Sequence, residues 1–381
     1  MTDLRPFTVA IEQDRLDDLE TRLARTRWPE AEPVDDWSQG VPLAALRDLV
    51  EHWRHTYDWR KCEARLNSFE QFVTEIDGLD IHFMHRRSPH ADAMPLILTH
   101  GWPGSVVEFL QVIEPLTEPE RFGGKAQDAF HVVVPSLPGY GFSGKPAETG
   151  WGVERTARAW ATLMHRLGYG DRWCAQGGDW GAVVTYMIGM QAPDGLAGIH
   201  SNMPLANPTA EDRKDESPEV RAALAAGQRY KQFDSGYSKI QMTRPQTIGY
   251  SLVDSPVGLA GWIYEKMWSW TDNDGRPEDA LSRDTMLDNI MLYWLNETGA
   301  SAARMYWESF GTIGKSTAVV SVPAALTAFP REVTRAPRHW AERKLKNLVY
   351  WNEAEAGGHF AAWEQPEIFV REVRAGLSAM R

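Results

Sequence analysis

Asp179 stands in the middle of a run of small residues. In QGGDWGA, Gln176 to Ala182, Gly177 lies two positions before it, Gly181 two after and Ala182 three after. A nucleophile held on a sharp strand-to-helix turn needs small residues at just those places, because the chain doubles back on itself there. GDRWCAQ ahead of the turn reads as a strand and AVVTYMIGMQA behind it as a helix, so the frame matches. The residue at the centre is a carboxylate, where acyl transfer would use a serine. A carboxylate nucleophile suits displacement at a saturated carbon, which leaves an alkyl ester on the protein for water to hydrolyse.

Three further segments could complete such a reaction. HGWPGS, His100 to Ser105, follows an earlier apolar run, and a loop in that place can offer a backbone N–H to the oxyanion of ester hydrolysis. The residue after the nucleophile offers the second N–H, which makes Trp102 and Trp180 the candidate donors. His359 lies on a glycine-rich loop, EAGGHFAAWEQPE, late in the chain, where a triad ordered nucleophile, acid, histidine puts its base. Glu332 in TAFPREV follows a predicted strand, 27 residues before His359, and would orient its imidazole; Glu353 and Glu355 are nearer in sequence and stay open as alternatives. Together these groups ask for an electrophilic sp³ carbon with a leaving group, either an epoxide oxygen or a halide. Ser143 in GYGFSG lacks the strand-turn-helix frame that a serine nucleophile would need.

Such residues work only if several loops meet at one edge of a scaffold. MPLILTHGWPGS, FHVVVPSLPGYGFS, STAVVSVPAALTAFP and NLVYWNEAEAGGHF are short apolar runs that break at Gly and Pro, the pattern of strands in a parallel sheet covered on both faces. Helical patterns such as Val153 to Leu167 lie between them, so the fold class is α/β and the loops after the strands gather at the carboxyl edge. Upstream, FVTEIDGLDIHFMH reads as a hairpin turning at Asp77-Gly78. The division expected is a helical N-terminal region over residues 1–70, a first core part over 71–202, a helical lid over 203–316 and a second core part over 317–381. In the first of these, DDLETRLARTRWP is a helix ended by Pro29, and a second helical run covers Leu43 to Tyr57. The lid opens on a solvated charge run, TAEDRKDESPEVRAAL, and continues in aromatic-rich helices.

Composition narrows the partners. The 381 residues carry 40 Lys+Arg against 52 Asp+Glu, a formal net charge of −12, which argues against nucleic acid or an anionic membrane surface. No basic-then-apolar leader and no run of eighteen apolar residues is present. The two cysteines, Cys62 and Cys174, are too few for a disulfide framework and read as plain thiols. His82 and His85, three apart on a predicted strand, point to opposite faces and do not suit one metal. No cofactor or metal is expected.

GGDWG, HGWPGS, SLPGYGFS, FPREV and GGHFAA, in this order, resemble an epoxide hydrolase of the microsomal type, an α/β-hydrolase with an N-terminal helical region and a helical lid. RWPE, DWRKCEARLN and TEIDGLDIHFMH match the N-terminal part of that family and DSPVGLAGWIYEKMWSWTD its lid, so the resemblance spans nearly the whole chain. It implies Asp179 as nucleophile, His359 as base, Glu332 as acid and two lid tyrosines, at Tyr237 and Tyr306, that protonate the epoxide oxygen. Tyr230, Tyr250, Tyr264 and Tyr293 are rivals for those two roles. Microsomal members carry a membrane-anchoring N-terminal segment; this chain starts at the helical region, and the expectation is a cytoplasmic enzyme without an anchor, acting on a small epoxide. A homodimer stays open.

The nearest rival is a haloalkane or haloacid dehalogenase with the same Asp-His-acid logic, which the two tyrosines disfavour because a departing halide needs no proton. A catalytically silent ligand receptor of this fold would have no need of the full set. Trp262, Trp268, Trp270, Trp294 and Trp307 suggest aromatic walls and aryl-substituted terminal epoxides, with lid packing as their other role.

Overall fold

The computed structural model describes residues 4–313 and 318–381. Among these, nine strands form one sheet in the order β1-β2-β3-β5-β4-β6-β7-β8-β9. The first is β1 (Arg5–Phe7), which pairs antiparallel with β2 (Gln71–Ile76). Between them lie α1 (Gln13–Ala24), α2 (Leu43–His55) and α3 (Trp59–Leu66). Residues 4–70 therefore hold three helices, as the pattern suggested, and an edge strand that it did not. Nor does Pro29 end the first helix: α1 stops at Ala24 with Arg25 as its cap, and the proline lies in the connection beyond.

β2 turns into β3 (Leu79–Arg86) at Asp77 and Gly78, whose φ values of 52° and 79° are those of a two-residue type I′ turn. His82 and His85 on β3 go to different partners, His82 to Ser136 and Gln71 and His85 to Tyr169. From β4 (Met94–Thr99) and β5 (Phe130–Pro135) through β6 (Trp173–Gly177), β7 (Leu196–Ser201), β8 (Ala324–Ala328) and β9 (Leu348–Glu353) the pairing is parallel. β5 and β6 are buried along their whole length, as the unbroken apolar runs require. β7 was not legible in the sequence, since LAGIHS neither alternates nor runs apolar. In STAVVSVPAALTAFP only Ala324–Ala328 joins the sheet; Val320 makes a single bridge to Leu345, and Ser316 and Thr317 lie outside the described residues.

Helices α4 (Ile113–Thr117), α5 (Val153–Arg166) and α6 (Trp180–Gln191) connect the central strands. Chain order reverses beside β4, whose neighbours are β5 and β6, and a crevice opens at the carboxyl ends of strands at such a reversal. Between β7 and β8 the chain leaves the sheet for α7 (Pro218–Arg229), a π-helical turn at Tyr230–Asp234, α8 (Gly236–Thr243), α9 (Pro245–Asp254), α10 (Pro256–Trp270), α11 (Arg283–Leu295) and α12 (Gly299–Ile313). Then come α13 (Arg338–Lys344), α14 (Ala361–Glu364) and α15 (Pro366–Leu377). The N-terminal helices hold the inserted ones through Tyr57 to Asp288, Arg22 to Asp254 and the stacked rings of Trp37 and Trp268, 4.8 Å apart.

Candidate active site

Asp179 occupies the turn between β6 and α6 with φ 51° and ψ −126°. A positive φ is unfavourable for a residue with a Cβ and persists only where the surroundings enforce it. Here they do. A Cβ on Gly177 would lie 2.2 Å from the Gly181 carbonyl, and one on Gly181 would lie 1.8 Å from the Thr99 carbonyl oxygen. The turn thus packs backbone on backbone against the end of β4, where Thr99 pairs with Gly177.

The loop after β4 supplies the first partner. The Trp102 N–H donates to Asp179 Oδ1 at 2.7 Å. His100, fully buried, shapes this loop: its Nδ1 donates to the Gly101 carbonyl at 3.0 Å and its Nε2 accepts the Leu137 N–H at 3.1 Å, so the ring is neutral, and burial lowers its pKa to about 4. From above, α11 grips the same loop. Asn289 donates to the Pro103 carbonyl at 2.7 Å and Tyr293 to the Gly104 carbonyl at 2.7 Å. Trp180 opens α6 directly after Asp179, so its backbone N–H is one of the helix-start donors without an intrahelical partner.

The loops after β8 and β9 deliver Glu332 and His359. Glu332 Oε1 is 2.7 Å from His359 Nδ1, and both side chains are buried. His359 Nε2 lies 3.3 Å from Asp179 Oδ2, close but not aligned as a hydrogen bond. Burial opposes a charge on His359, yet the neighbouring Glu332 and Asp179 carboxylates outweigh it and hold the imidazole well above its ordinary pKa. Of the nearer glutamates, Glu355 pairs with Arg371 at 2.7 Å on the surface, and Glu353 is exposed at the end of β9.

The His359 loop is tied down by groups that sequence reasoning missed. Glu364 on α14 accepts the N–H groups of Asp272 at 2.6 Å, Gly358 at 3.1 Å and Phe360 at 2.9 Å. Burial still pushes its carboxyl up to about 7. The His359 N–H donates to the Trp270 carbonyl at 2.9 Å, and the Trp270 ring meets the imidazole edge-on at 4.9 Å. Glu108, also unforeseen, is buried in a narrow cavity that it lines with Asp179, His359 and Phe109, and burial pushes it up to about 8. A carboxylate at the third residue of the short helical turn that follows HGWPGS was the only signal for it.

Tyr237 on α8 and Tyr306 on α12 come together over this floor. Tyr237 stacks on the Trp102 ring at 4.8 Å, Tyr306 meets Trp102 and Trp180 edge-on at 5.9 and 4.7 Å, and the two phenol rings are 5.8 Å apart. Burial raises the pKa of both phenols well above the ordinary value, and the Asp179 charge adds to it. Of the rivals, Tyr230 bonds to the Tyr237 hydroxyl at 3.1 Å, Tyr264 to Glu278, Tyr293 to the loop below, and Tyr250 is 67% exposed. Four of the five lid tryptophans are placed elsewhere: Trp268 is stacked on Trp37, Trp294 lies under Arg22, Trp262 bonds Gln241 and Trp307 is half exposed, so only Trp270 joins the aromatic wall. Ser143 is spent on the Ser136 carbonyl and the His82 N–H. Cys62 and Cys174 are free and buried. Among the described residues no group of three His, Cys, Asp or Glu side chains is arranged to hold a metal ion, and no helix is long and apolar enough to cross a membrane.

A mostly parallel sheet with an elbow at Asp179, a carboxylate-bound histidine and a helical insertion defines an α/β-hydrolase, and the general model of that fold matches residues 94–229. The model described as "Epoxide hydrolase N terminus" matches residues 4–109. The chain is 35% identical to epoxide hydrolase 1 of Sus scrofa over 97% of its own length and 88% of that protein's. It is 56% identical to a protein of Stigmatella aurantiaca (strain DW4/3-1), provisionally named an epoxide hydrolase, over 99% and 86%. The crystal structure of the juvenile hormone epoxide hydrolase of Bombyx mori superposes with a TM-score of 0.91 at 31% identity, covering 100% of this chain and 95% of that one. The epoxide hydrolase of Aspergillus niger gives 0.88 at 34%, covering 100% and 97%. The chain belongs to the epoxide hydrolase family, in its microsomal type, and is a hydrolase.

Proposed function

We propose that this protein opens an epoxide to a vicinal diol in two steps, through an ester on Asp179. The observation that carries the reading is the line Asp179–His359–Glu332 with the Trp102 N–H on Asp179 Oδ1 and two phenols overhead. With Oδ1 held by Trp102, Oδ2 is the oxygen left to attack. It forms a bond to one epoxide carbon while the carbon–oxygen bond there breaks, and a lid phenol gives its proton to the departing alkoxide.

In the second step His359 takes a proton from water, and the hydroxide attacks the carboxyl carbon of the ester. Negative charge then develops on Oδ1, the atom that faces the Trp102 N–H, with Trp180 as the second donor. As it collapses, the bond from the carboxyl carbon to Oδ2 breaks, Oδ2 leaves with the diol and takes a proton from His359, and the lid phenolate regains its proton from solvent. The ester forms and the electrostatics change with it. While Asp179 is a carboxylate it helps hold the imidazolium; once esterified it is neutral, so the His359 pKa falls and the ring becomes a base when one is needed. Glu332 keeps the proton on Nδ1 and leaves Nε2 for the water.

Residues 203–316 serve as the lid in this reading, and 1–70 as its clamp. Trp102, Trp270, Tyr237 and Tyr306 present aromatic faces that favour aryl-substituted terminal epoxides. The test is one turnover with protein in excess over styrene oxide in ¹⁸O-labelled water, followed by mass analysis of the peptide containing Asp179. One heavy oxygen in that peptide is expected. Diol with an unlabelled peptide would mean that water attacks the epoxide directly and would overturn the ester. Much higher kcat/KM for aliphatic than for aryl epoxides would overturn the substrate preference alone.

A further inference from the structure

Two phenols face the departing oxygen, but their surroundings differ. Resting on the epoxide-opening reading above, the geometry points to Lys266 as a positioning residue that makes Tyr237, and not Tyr306, the proton donor. Lys266 is on α10 with its side chain only 4% exposed. Its ammonium is held 2.6 Å from Asp234 and 2.7 Å from Glu265, and it stands 4.7 Å from the centre of the Tyr237 ring. A cation at the face of a phenol stabilises the negative charge that grows on that ring as its proton leaves, and burial strengthens the effect.

The Tyr237 oxygen also meets the π-helical turn. Tyr230, at the start of that turn, lies 3.1 Å from it, and this contact helps to hold the Tyr237 proton in place until the cation opposes it. Asp234, at the other end of that turn, fixes the ammonium and also accepts the Trp270 indole N–H at 2.5 Å and the Ser269 hydroxyl at 3.2 Å. A π-helical turn is rare in itself and often marks a functional place in a helix.

Tyr306 lacks the cation, and its hydrogen-bonding helper is the Tyr237 hydroxyl. Its ring neighbours are Trp102, Trp180, Tyr237 and Phe310, and among the described residues no cation stands over it. The charged and titratable groups that face Tyr237 are Asp179 from the elbow, Tyr306 from α12, Tyr230 and Asp234 from the π-helical turn and Lys266 with Glu265 from α10. Burial and the first three of these hold its proton on. Lys266 is the positive charge that opposes them. Tyr306 is then left to orient the oxygen.

The experiment is rapid-quench single turnover on styrene oxide with the full chain and K266M, following ester formation and diol release separately. Ester formation is expected to slow about ten- to thirtyfold, with ester hydrolysis unchanged. Without the cation the phenol holds its proton more tightly, so the high-pH limb of ester formation moves to higher pH. K266R restores rate and limb. Because Lys266→Met leaves Asp234 and Glu265 without their cation, the double variant D234N/K266M, which removes the charge of the less exposed of the two, is measured beside it and shows the same slow step. Tyr306→Phe keeps the high-pH limb in place and Tyr237→Phe removes it. Ester formation at the wild-type rate in the lysine variants, an equal fall of both steps with the limb unmoved, or a limb that follows Tyr306 would overturn the inference. A wild-type protein that forms no ester on Asp179 would instead overturn the epoxide-opening reading itself, so the two failures are distinct.

Discussion

The floor and the roof of the site are built by different means. On the floor, Asp179, Trp102, Glu332 and His359 stand on loops that follow β6, β4, β8 and β9, and the hydrogen-bonded register of the sheet sets the spacing between them. On the roof, Tyr237 and Tyr306 come from two helices whose places depend on side-chain packing against α9, against each other and on the loops beneath, through contacts such as Tyr140 to the Ala302 carbonyl and Ser301 to the Gly139 carbonyl. A sheet with parallel strands buried on both faces leaves little freedom at its edge. Helices packed over a cleft keep more. On the proposed mechanism, the floor carries the groups whose loss ends the chemistry, and the roof carries groups whose surroundings tune it.

The strongest way to break that contrast is at the nucleophile. D179A should lose diol formation by about a thousandfold or more, since the carboxylate on the elbow is gone; steady-state assay on styrene oxide measures it, and residual activity near wild type would move the chemistry elsewhere. H359A should stop the second step and not the first, leaving one equivalent of ester on Asp179, visible as a mass increase of the intact protein. E332Q acts through His359 and should cost less, about a hundredfold in ester hydrolysis, with ester formation nearly intact. Smaller still is N289A, which removes the Asn289 hold of α11 on the HGWPGS loop and leaves that of Tyr293. It should lower stability by about 1–3 kcal/mol in denaturant melts and weaken turnover through Trp102.

The last prediction sharpens the electrostatics. His359 is held above its ordinary pKa by two carboxylates, so it is charged below that raised value and neutral above it. Replacing Asp179 with asparagine removes one of them, and the His359 titration followed by NMR should shift to lower pH. An unmoved midpoint would mean that Asp179 does not control the base.

Much of the floor was legible along the chain, for a physical reason. A turn that packs backbone on backbone admits only small residues, and GGDWG shows that constraint in its composition. The hairpin at Asp77-Gly78 and the apolar runs of β4, β5 and β6 are likewise local. What was not legible lacked a local signature. β1 is three residues with a proline in it, too short to have a period, and β7 shows neither alternation nor an apolar run. α1 ended at Ala24 because its helical face ran out there, before the proline was reached. The lid tryptophans illustrate the opposite error, since aromatic content says nothing about direction and only Trp270 turns toward the site.

The sequence by itself singled out Asp179, His359 and, as the favoured glutamate, Glu332, with the order in which loops present them, because each rests on short-range geometry that residue types reveal. Which glutamate meets His359, that Glu364 clamps its loop, and that a buried lysine stands over one tyrosine and not the other were decided only by tertiary structure. Those are contacts between segments far apart in the chain, and no local pattern encodes where a distant helix will come to rest.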